Sequence, residues 1–278
     1  MSIPSYKNLY TGLTLDPLLP SPALEFSFDL AAKYGAHLTV EVDATYDIPV
    51  DIMTYEATAI SSELNDRFVQ DAEKAAERVR LYARESGVPC TVLSATETYA
   101  ALVRRFAVTA RTFDLAILDA SQTALGGSNQ YVEETLLQSG RPVAIVPEGL
   151  KQTKLQRAVV AWDGSAQAAR AVNEALPLLT GTTEVEVVCV RPEEHLRDHI
   201  PGLEIELHLR RHGINAKLTG LPTVGKDPVK TLIAHVQNVR PDLVVMGGYS
   251  HSWVRELVLG GMTRSMLTTC PTVLFLSH

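Results

Sequence analysis

The residues best suited to bind a ligand lie in a glycine-rich stretch near the C-terminus. Gly247 and Gly248 follow a predicted apolar strand, and Gly260 and Gly261 open a predicted helix. Glycine is needed where a ligand approaches bare backbone, and the free N–H groups at a helix N-terminus attract anions. Polar side chains in the same stretch include His251, Thr263 and Ser265. The stretch therefore predicts an anion site, although such glycines could also serve only tight turns and close packing of helix on strand.

An internal repeat defines the strands that must position this stretch. The matched segments are Leu9–Asp16 with Arg157–Asp163, Gly35–Val42 with Thr182–Cys189, Phe113–Leu118 with Pro241–Met246, and Arg141–Pro147 with Pro271–Ser277. The offset is 147 for the first two pairs and 128 for the third, so the first half carries an insertion of 19 residues. The chain is therefore two copies of one plan.

Segments with helical spacing separate these strands. The insertion falls in a predicted helix over Ser61–Ser86, with Gly87 as its C-cap. A second predicted helix starts from Ser165 as its N-cap, and a third covers Pro228–Val239. Almost continuously apolar strands that alternate with helices indicate a parallel sheet covered on both faces. We therefore predict two tandem α/β domains, residues 1–149 and 153–278, each a mostly parallel five-stranded sheet with helices on both faces.

Ligands of such open sheets bind beyond the carboxyl ends of the strands. In the second half this edge would bring Asp163 and Val190 next to the glycine-rich stretch. Asp163 could equally cap the helix that begins near Ser165, and this role is compatible with a ligand contact.

The pattern resembles the universal stress protein family, whose nucleotide-binding members carry Gly-x2-Gly-x9-Gly-Ser/Thr after the fourth strand. Here the frame is Gly247-x2-Ser250-x9-Gly260-Gly261, with the spacing intact and two of the four positions changed. Asp163, after the first strand of the second half, and Gly225, before its third helix, also match residues typical of the family. The resemblance covers both halves and implies a tandem member with two Rossmann-like (adenine nucleotide alpha hydrolase-like) domains.

By that resemblance the second half would bind an adenine nucleotide, ATP, with Mg²⁺ carried by the nucleotide. Asp163 and the backbone at Val190 would hold the adenosine portion. His251 lies in the same loop, within reach of a phosphate. The residues that would surround the phosphates are Gly247, Ser250, Gly260, Gly261, Met262 and Thr263.

The first half departs further from this pattern. Asp119 occupies the position of Gly247, the following loop is two residues shorter, and only Asp16 remains of the site. A carboxylate at that turn would repel a triphosphate, so we expect no nucleotide in the first half.

The sequence also excludes several classes of function. A formal charge of −7 argues against nucleic-acid binding, and neither a signal peptide nor a membrane-spanning segment is recognisable. Three widely spaced cysteines, Cys90, Cys189 and Cys270, indicate reduced thiols and a cytoplasmic protein. His195 and His199 have a metal-chelating spacing, but Pro201 follows closely and a solvated segment is favoured.

No phosphate-loop or nucleophile motif is present, so we expect a stress-response binding protein and not an enzyme. The alternatives are an interaction or scaffold protein with vestigial pockets and, less favoured, a slow nucleotide hydrolase or phosphotransferase.

The final strands of the two halves predict how the halves assemble. Pro142–Val146 and Thr272–Leu276 are short, apolar and uncharged, which is hazardous at an open sheet edge. The family resemblance implies that they pair with each other antiparallel, giving an internal pseudo-dimer. Further association into a homodimer is left open.

Overall fold

The computed structural model describes residues 5–14, 21–45, 55–120, 130–150, 153–192, 202–224, 227–248 and 272–278. In the first half the elements are β1 (Asn8–Thr14), α1 (Pro22–Tyr34), β2 (His37–Thr45), α2 (Tyr55–Ser86), β3 (Cys90–Glu97), α3 (Tyr99–Ala110), β4 (Leu115–Asp119), α4 (Gln130–Gln138) and β5 (Val143–Val146). In the second half they are β6 (Arg157–Ala161), α5 (Ala166–Thr180), β7 (Glu184–Arg191), α6 (Leu203–Arg211), β8 (Ala216–Pro222), α7 (Pro228–Val239), β9 (Leu243–Gly247) and β10 (Val273–Ser277).

The strands form one continuous ten-stranded sheet in the order β3-β2-β1-β4-β5-β10-β9-β6-β7-β8. Within each half all neighbouring strands are parallel. The halves join where β10 pairs antiparallel with β5, and Phe275 lies opposite Ala144. The predicted α/β class and the predicted pairing of the two final strands are therefore confirmed. The domain limits at 149 and 153 stay a prediction.

Helices cover both faces of the sheet because the strand side chains alternate between two apolar layers. One layer contains buried residues of α1, α2, α5 and α6, among them Phe26, Ala76 and Val172. The other contains buried residues of α3, α4 and α7, among them Phe106 and Leu232. The molecule is thus a three-layer α/β/α sandwich that runs through both halves.

The strand registers correct one predicted alignment. Leu9 pairs with Leu38 and Leu115, whereas Ala158 pairs with Val185 and Leu243. Leu9 and Ala158 are therefore equivalent, an offset of 149 and not 147, and Asp163 corresponds to Thr14. Asp16, its predicted counterpart, lies outside the described residues. A two-residue shift preserves the face to which every side chain points, so the apolar pattern alone did not detect it.

The final strands are also shifted, here by one residue. Ala116 pairs with Val143 and Val244 pairs with Leu274, so Val143 corresponds to Leu274 and not to Val273. Because a single-residue shift exchanges the two faces of a strand, the structural pairing is the one that keeps both apolar layers intact.

The helices agree with the predicted spacing but differ in length. α2 ends at Ser86 as predicted, before Gly87 with φ +68°, and it begins earlier, at Tyr55. Phe68 is 44% exposed, whereas Ala72, Ala76, Val79 and Ala83 of the same helix are buried. The corresponding helix of the second half, α6, has only 9 residues. The inserted segment therefore lengthens one covering helix and leaves the sheet unchanged.

Two tyrosine side chains of the first half, Tyr6 before β1 and Tyr34 at the end of α1, bind helix α5 of the second half. The hydroxyl of Tyr6 donates to the carbonyl of Glu174, and that of Tyr34 donates to the carbonyl of Pro177, both at 2.8 Å. The two rings meet edge to face at 5.6 Å. Pro177 lies inside α5 and has no N–H to donate, which interrupts the helical hydrogen bonds beside these contacts.

Candidate functional site

The site predicted in the second half is built around the N-terminus of α5. The backbone N–H of Ser165 donates to Asp163 Oδ1 at 2.8 Å, and the hydroxyl of Ser165 accepts from Ala168 N at 3.1 Å. Ser165 is therefore the N-cap, as predicted, and Asp163 holds the turn that precedes it. The carboxylate is partly exposed, at the carboxyl edge of the sheet.

Gly247, at the end of β9, packs directly against this helix start. Its φ is not in the left-handed region, so the glycine is not required by a turn. A Cβ added to it would lie 2.6 Å from Ala168 N and 2.8 Å from the carbonyl carbon of Gln167. Gly247 thus lacks a side chain because β9 packs closely on α5. Close packing is the alternative to ligand binding that the sequence had left open for this glycine.

Gly248 continues the edge towards the junction of the two halves. Its N–H donates to Ser277 O at 2.7 Å, which extends the pairing of β9 with β10. A Cβ here would lie 2.8 Å from Leu136 Cδ2, the end of a flexible side chain. Both described glycines of the glycine-rich stretch therefore have packing roles, and a ligand role for Gly247 stays a prediction.

Arg191, at the end of β7, is a site residue that the sequence analysis missed. Its Nη2 donates to the backbone carbonyl of Asp163 at 2.7 Å, which places the guanidinium beside the predicted adenosine position. Val190, the residue before it, is partly buried and packs against the apolar layer under α7. An arginine directly after Val190 was visible in the sequence, but only the fold shows that it reaches across to Asp163.

The structure brings Asp163, Val190 and Gly247 to one edge of the sheet. The remaining predicted site residues lie outside the described residues: Ser250, His251, Gly260, Gly261, Met262 and Thr263. The same holds for Gly225, Cys270 and the pair His195 and His199.

The equivalent edge of the first half carries different chemistry. By the registers above, Thr14, Asp43 and Asp119 stand where the second half has Asp163, Val190 and Gly247. Two of these three exchanges introduce a carboxyl group. The predicted absence of a nucleotide from the first half stays a prediction, and these exchanges are consistent with it.

Asp119 uses its carboxylate to cap α1. Oδ2 accepts from the hydroxyl of Ser21 at 2.6 Å, and Oδ1 accepts from Ala23 N at 2.8 Å. The residue is 7% exposed, and burial raises its pKa. Asp119 therefore fills the space between the end of β4 and the start of α1. In the second half Gly247 has no side chain, so the start of α5 contacts β9 directly.

The described part of the chain contains neither a metal-binding cluster nor a helix that could span a membrane. No three histidine, cysteine, aspartate or glutamate side chains there are grouped to hold a metal ion. No helix in the described ranges has the length and apolar character needed to span a membrane. Cys90 and Cys189 are both in the thiol form.

Residues 154–275 match the model of the universal stress protein family. No curated protein sequence matches the chain. A universal stress protein from Archaeoglobus fulgidus DSM 4304 is 16% identical, with a TM-score of 0.68 over 97% of this chain and 95% of that one.

Two further solved structures extend the comparison. A functionally unknown protein from Pseudomonas aeruginosa PAO1 is 12% identical, with a TM-score of 0.61 over 98% of this chain and 92% of that one. A universal stress protein in complex with cAMP matches 45% of this chain and 98% of its own, at 19% identity and a TM-score of 0.37. At these identities the first two show a common fold over both halves, and the third is too distant to bear on the ligand of this chain.

Proposed function

We propose that the chain is a non-enzymatic stress-response protein that binds ATP in its second half. The premise is that the chain belongs to the universal stress protein family through residues 154–275. The observation that carries this proposal is the meeting of Asp163, Val190 and Gly247 at the carboxyl edge of the second half, beside the N-terminus of α5. These are the described members of the predicted site.

The described groups suit an adenine nucleotide. The Asp163 carboxylate is an acceptor for ribose hydroxyl groups, and the partly buried Val190 offers an apolar surface to the base. The guanidinium of Arg191 is an always-charged donor that matches the geometry of phosphate oxygens. Arg191 lies on the same edge as Gly247, the first residue of the stretch predicted to surround the phosphates. Mg²⁺ would enter with the nucleotide.

The proposed cytoplasmic location rests on the cysteines. Both described cysteines are in the thiol form, and burial raises the pKa of each to about 11, so neither is readily oxidised through its thiolate. Free thiols are the usual state in a reducing compartment.

Calorimetry with Mg-ATP on the full chain tests the nucleotide site. We expect saturable binding, and we expect Asp163→Ala and Arg191→Gln each to weaken it by roughly tenfold, the loss of one charge-assisted hydrogen bond. The matched controls are Glu184→Gln and Arg157→Gln, an exposed ion pair at 3.2 Å at the opposite end of strands β6 and β7. Both controls should leave the affinity within about twofold.

A second candidate is an interaction protein with vestigial pockets. Gly247 is fully explained by its packing against α5, and the first half has lost the site chemistry at all three equivalent positions. Absence of both heat and thermal shift at millimolar Mg-ATP would favour this candidate, because a bound ligand must raise the apparent stability. Release of phosphate from ATP that depends on Asp163 would contradict the non-enzymatic proposal.

A further inference from the structure

A buried polar cluster lies inside the first half, on the face of the sheet covered by α3 and α4. Its centre is a pair of carboxylic acids on one strand, Glu41 and Asp43 of β2, which are 0% and 2% exposed. Because the two residues are separated by one position, both side chains point to the same face. Carboxyl groups are seldom buried this deeply without a charge partner for each.

Glu41 has the better supply of partners. The hydroxyl of Tyr10 on β1 donates to Oε2, and Nε of Arg105 on α3 lies 3.3 Å from Oε1. Arg105 is 35% exposed and is also 3.9 Å from Glu97 of β3. One guanidinium is therefore shared between a buried and an exposed carboxylate.

Asp43 has one hydrogen-bond donor among the described residues. The hydroxyl of Tyr131 on α4 donates to Oδ2 at 3.2 Å. Neither Asp43 Oδ1 nor Glu41 Oε1 accepts a hydrogen bond from any residue that the structure describes. A buried acceptor without a donor is costly, and two neighbouring carboxyl groups can supply the missing hydrogen bond only if one of them is protonated.

The charges around the pair do not balance if both acids are ionised. Among the described residues, the titratable or charged groups that face it are Tyr10 from β1, Glu97 from β3, Tyr99 and Arg105 from α3, and Tyr131 from α4. This set contains one cation and, with the pair, three carboxylates. Tyr10 and Tyr131 are neutral, since burial and the nearby carboxylates raise the pKa of each.

The second half carries valines at the positions of the acid pair. By the registers given above, Val188 and Val190 stand at the positions of Glu41 and Asp43, and both pack in an apolar layer. The acid pair is thus a feature of the first half alone, not a requirement of the fold.

We propose that Glu41 and Asp43 form a proton-binding site, in which the pair holds one proton between its two carboxyl groups in the folded chain at neutral pH and so makes the stability of the first half depend on pH. The proposal is independent of nucleotide binding by the second half. It assigns the first half a response to pH in place of a ligand site.

The direction of the pKa shift agrees with this geometry. Burial, together with the charge of Glu41 and a hydrogen bond to it, raises the pKa of Asp43 from 3.8 to about 8. The hydrogen bond from Tyr131 and the charge of Arg105 act in the opposite direction and are weaker in sum. The proton belongs to the pair, whose two titration steps are coupled.

The sign of the effect on stability follows from proton linkage. Between the unfolded and folded pKa values the native chain holds a proton that the unfolded chain has released, so stability falls as pH rises. It falls from about pH 4 up to the raised pKa and then levels off, because above it neither state holds the proton.

Urea unfolding of the full chain and of Asp43→Asn at several pH values tests the site. From about pH 5 to about pH 7.5, the wild-type folding equilibrium constant should fall roughly tenfold per pH unit relative to the variant, the value for one proton. Glu97→Gln removes an exposed carboxylate that faces the same arginine, and it should keep the wild-type slope. Equal slopes in wild type and Asp43→Asn would overturn the proposal.

A second measurement covers the case in which Asp43→Asn does not fold. In folded wild-type protein labelled with 13C at the aspartate carboxyl carbons, one resonance should titrate near the raised pKa of Asp43. It should persist in Asp119→Asn, which removes the other described aspartate whose pKa is raised by burial. If every aspartate resonance of the wild type titrates below about pH 6, the pair holds no proton at neutral pH and the proposal fails.

Discussion

At the scale of single residues, Gly247 and Gly248, the two described glycines of the glycine-rich stretch, differ in what surrounds them. Gly247 faces backbone atoms of Gln167 and Ala168, which cannot move without shifting the start of α5. Gly248 faces the terminal carbons of Leu136, which can adopt another rotamer. The same added methyl group should therefore have unequal costs.

We expect Gly247→Ala to lower the free energy of unfolding by about 1–3 kcal/mol, as overpacking does, and Gly248→Ala to cost less. Urea midpoints of the two variants at one pH measure the difference. An equal or larger cost for Gly248→Ala would mean that the α5 backbone yields more easily than the Leu136 side chain.

The glycines also show why the site could be predicted only in part. Close approach of a ligand and close approach of a helix both require the absence of a Cβ, so spacing alone did not separate the two roles of Gly247. Asp163 and Val190 could be placed because a strand end positions them. The partnership of Arg191 with Asp163 joins the ends of two neighbouring strands across 28 residues of chain, and no local pattern encodes it.

At the scale of elements, the start of each half's first helix is fixed to the sheet in a different way. In the second half Ser165 caps α5 with its own hydroxyl. In the first half Ser21 caps α1, and the buried Asp119 carboxylate binds both Ser21 and the N–H of Ala23. A side chain from β4 thus replaces direct contact between strand and helix.

We expect Asp119→Ala to destabilise the chain by about 2–3 kcal/mol, because it leaves the buried N–H of Ala23 without an acceptor and opens a cavity. Ser165→Ala, the control, removes one partly exposed cap and should cost about 1 kcal/mol. Urea unfolding compares the two, and a smaller loss for Asp119→Ala would show that Asp119 does not stabilise α1.

Elements were predictable to the extent that they carry a local signal. The apolar runs located the strands, and Gly87 and Ser165 marked helix ends because each has a single stereochemical role there. The alignment of β1 with β6 was wrong by two residues, since a strand has a period of two and the apolar pattern survives that shift. The register depends on hydrogen bonds to neighbouring strands, which the sequence does not display.

At the scale of the whole molecule, the antiparallel pairing of β5 with β10 makes two sheets into one. Val143 and Val273 lie in this junction and are 0% exposed. Pairing satisfies the backbone groups of both strands and covers two edges that would otherwise attract other chains.

Lysine at either position would bring an unpaired charge into this junction. We expect Val143→Lys and Val273→Lys each to lower the free energy of unfolding by at least about 3 kcal/mol and to promote aggregation. Val108→Lys, at an α3 position that is 52% exposed, is the matched control and should behave like wild type. Melting temperatures and light scattering measure both effects, and unchanged values in the two junction variants would contradict the buried pairing.

The same junction has a consequence for synthesis on the ribosome. β5 is complete once Val146 has been translated, but its partner β10 begins only at Val273 and follows every other described element. At about 5–20 residues per second, the nascent first half waits on the order of ten seconds with its Val-Ala-Ile-Val edge unpaired. The chain therefore depends, during that interval, on whatever shields an apolar strand as it leaves the ribosome.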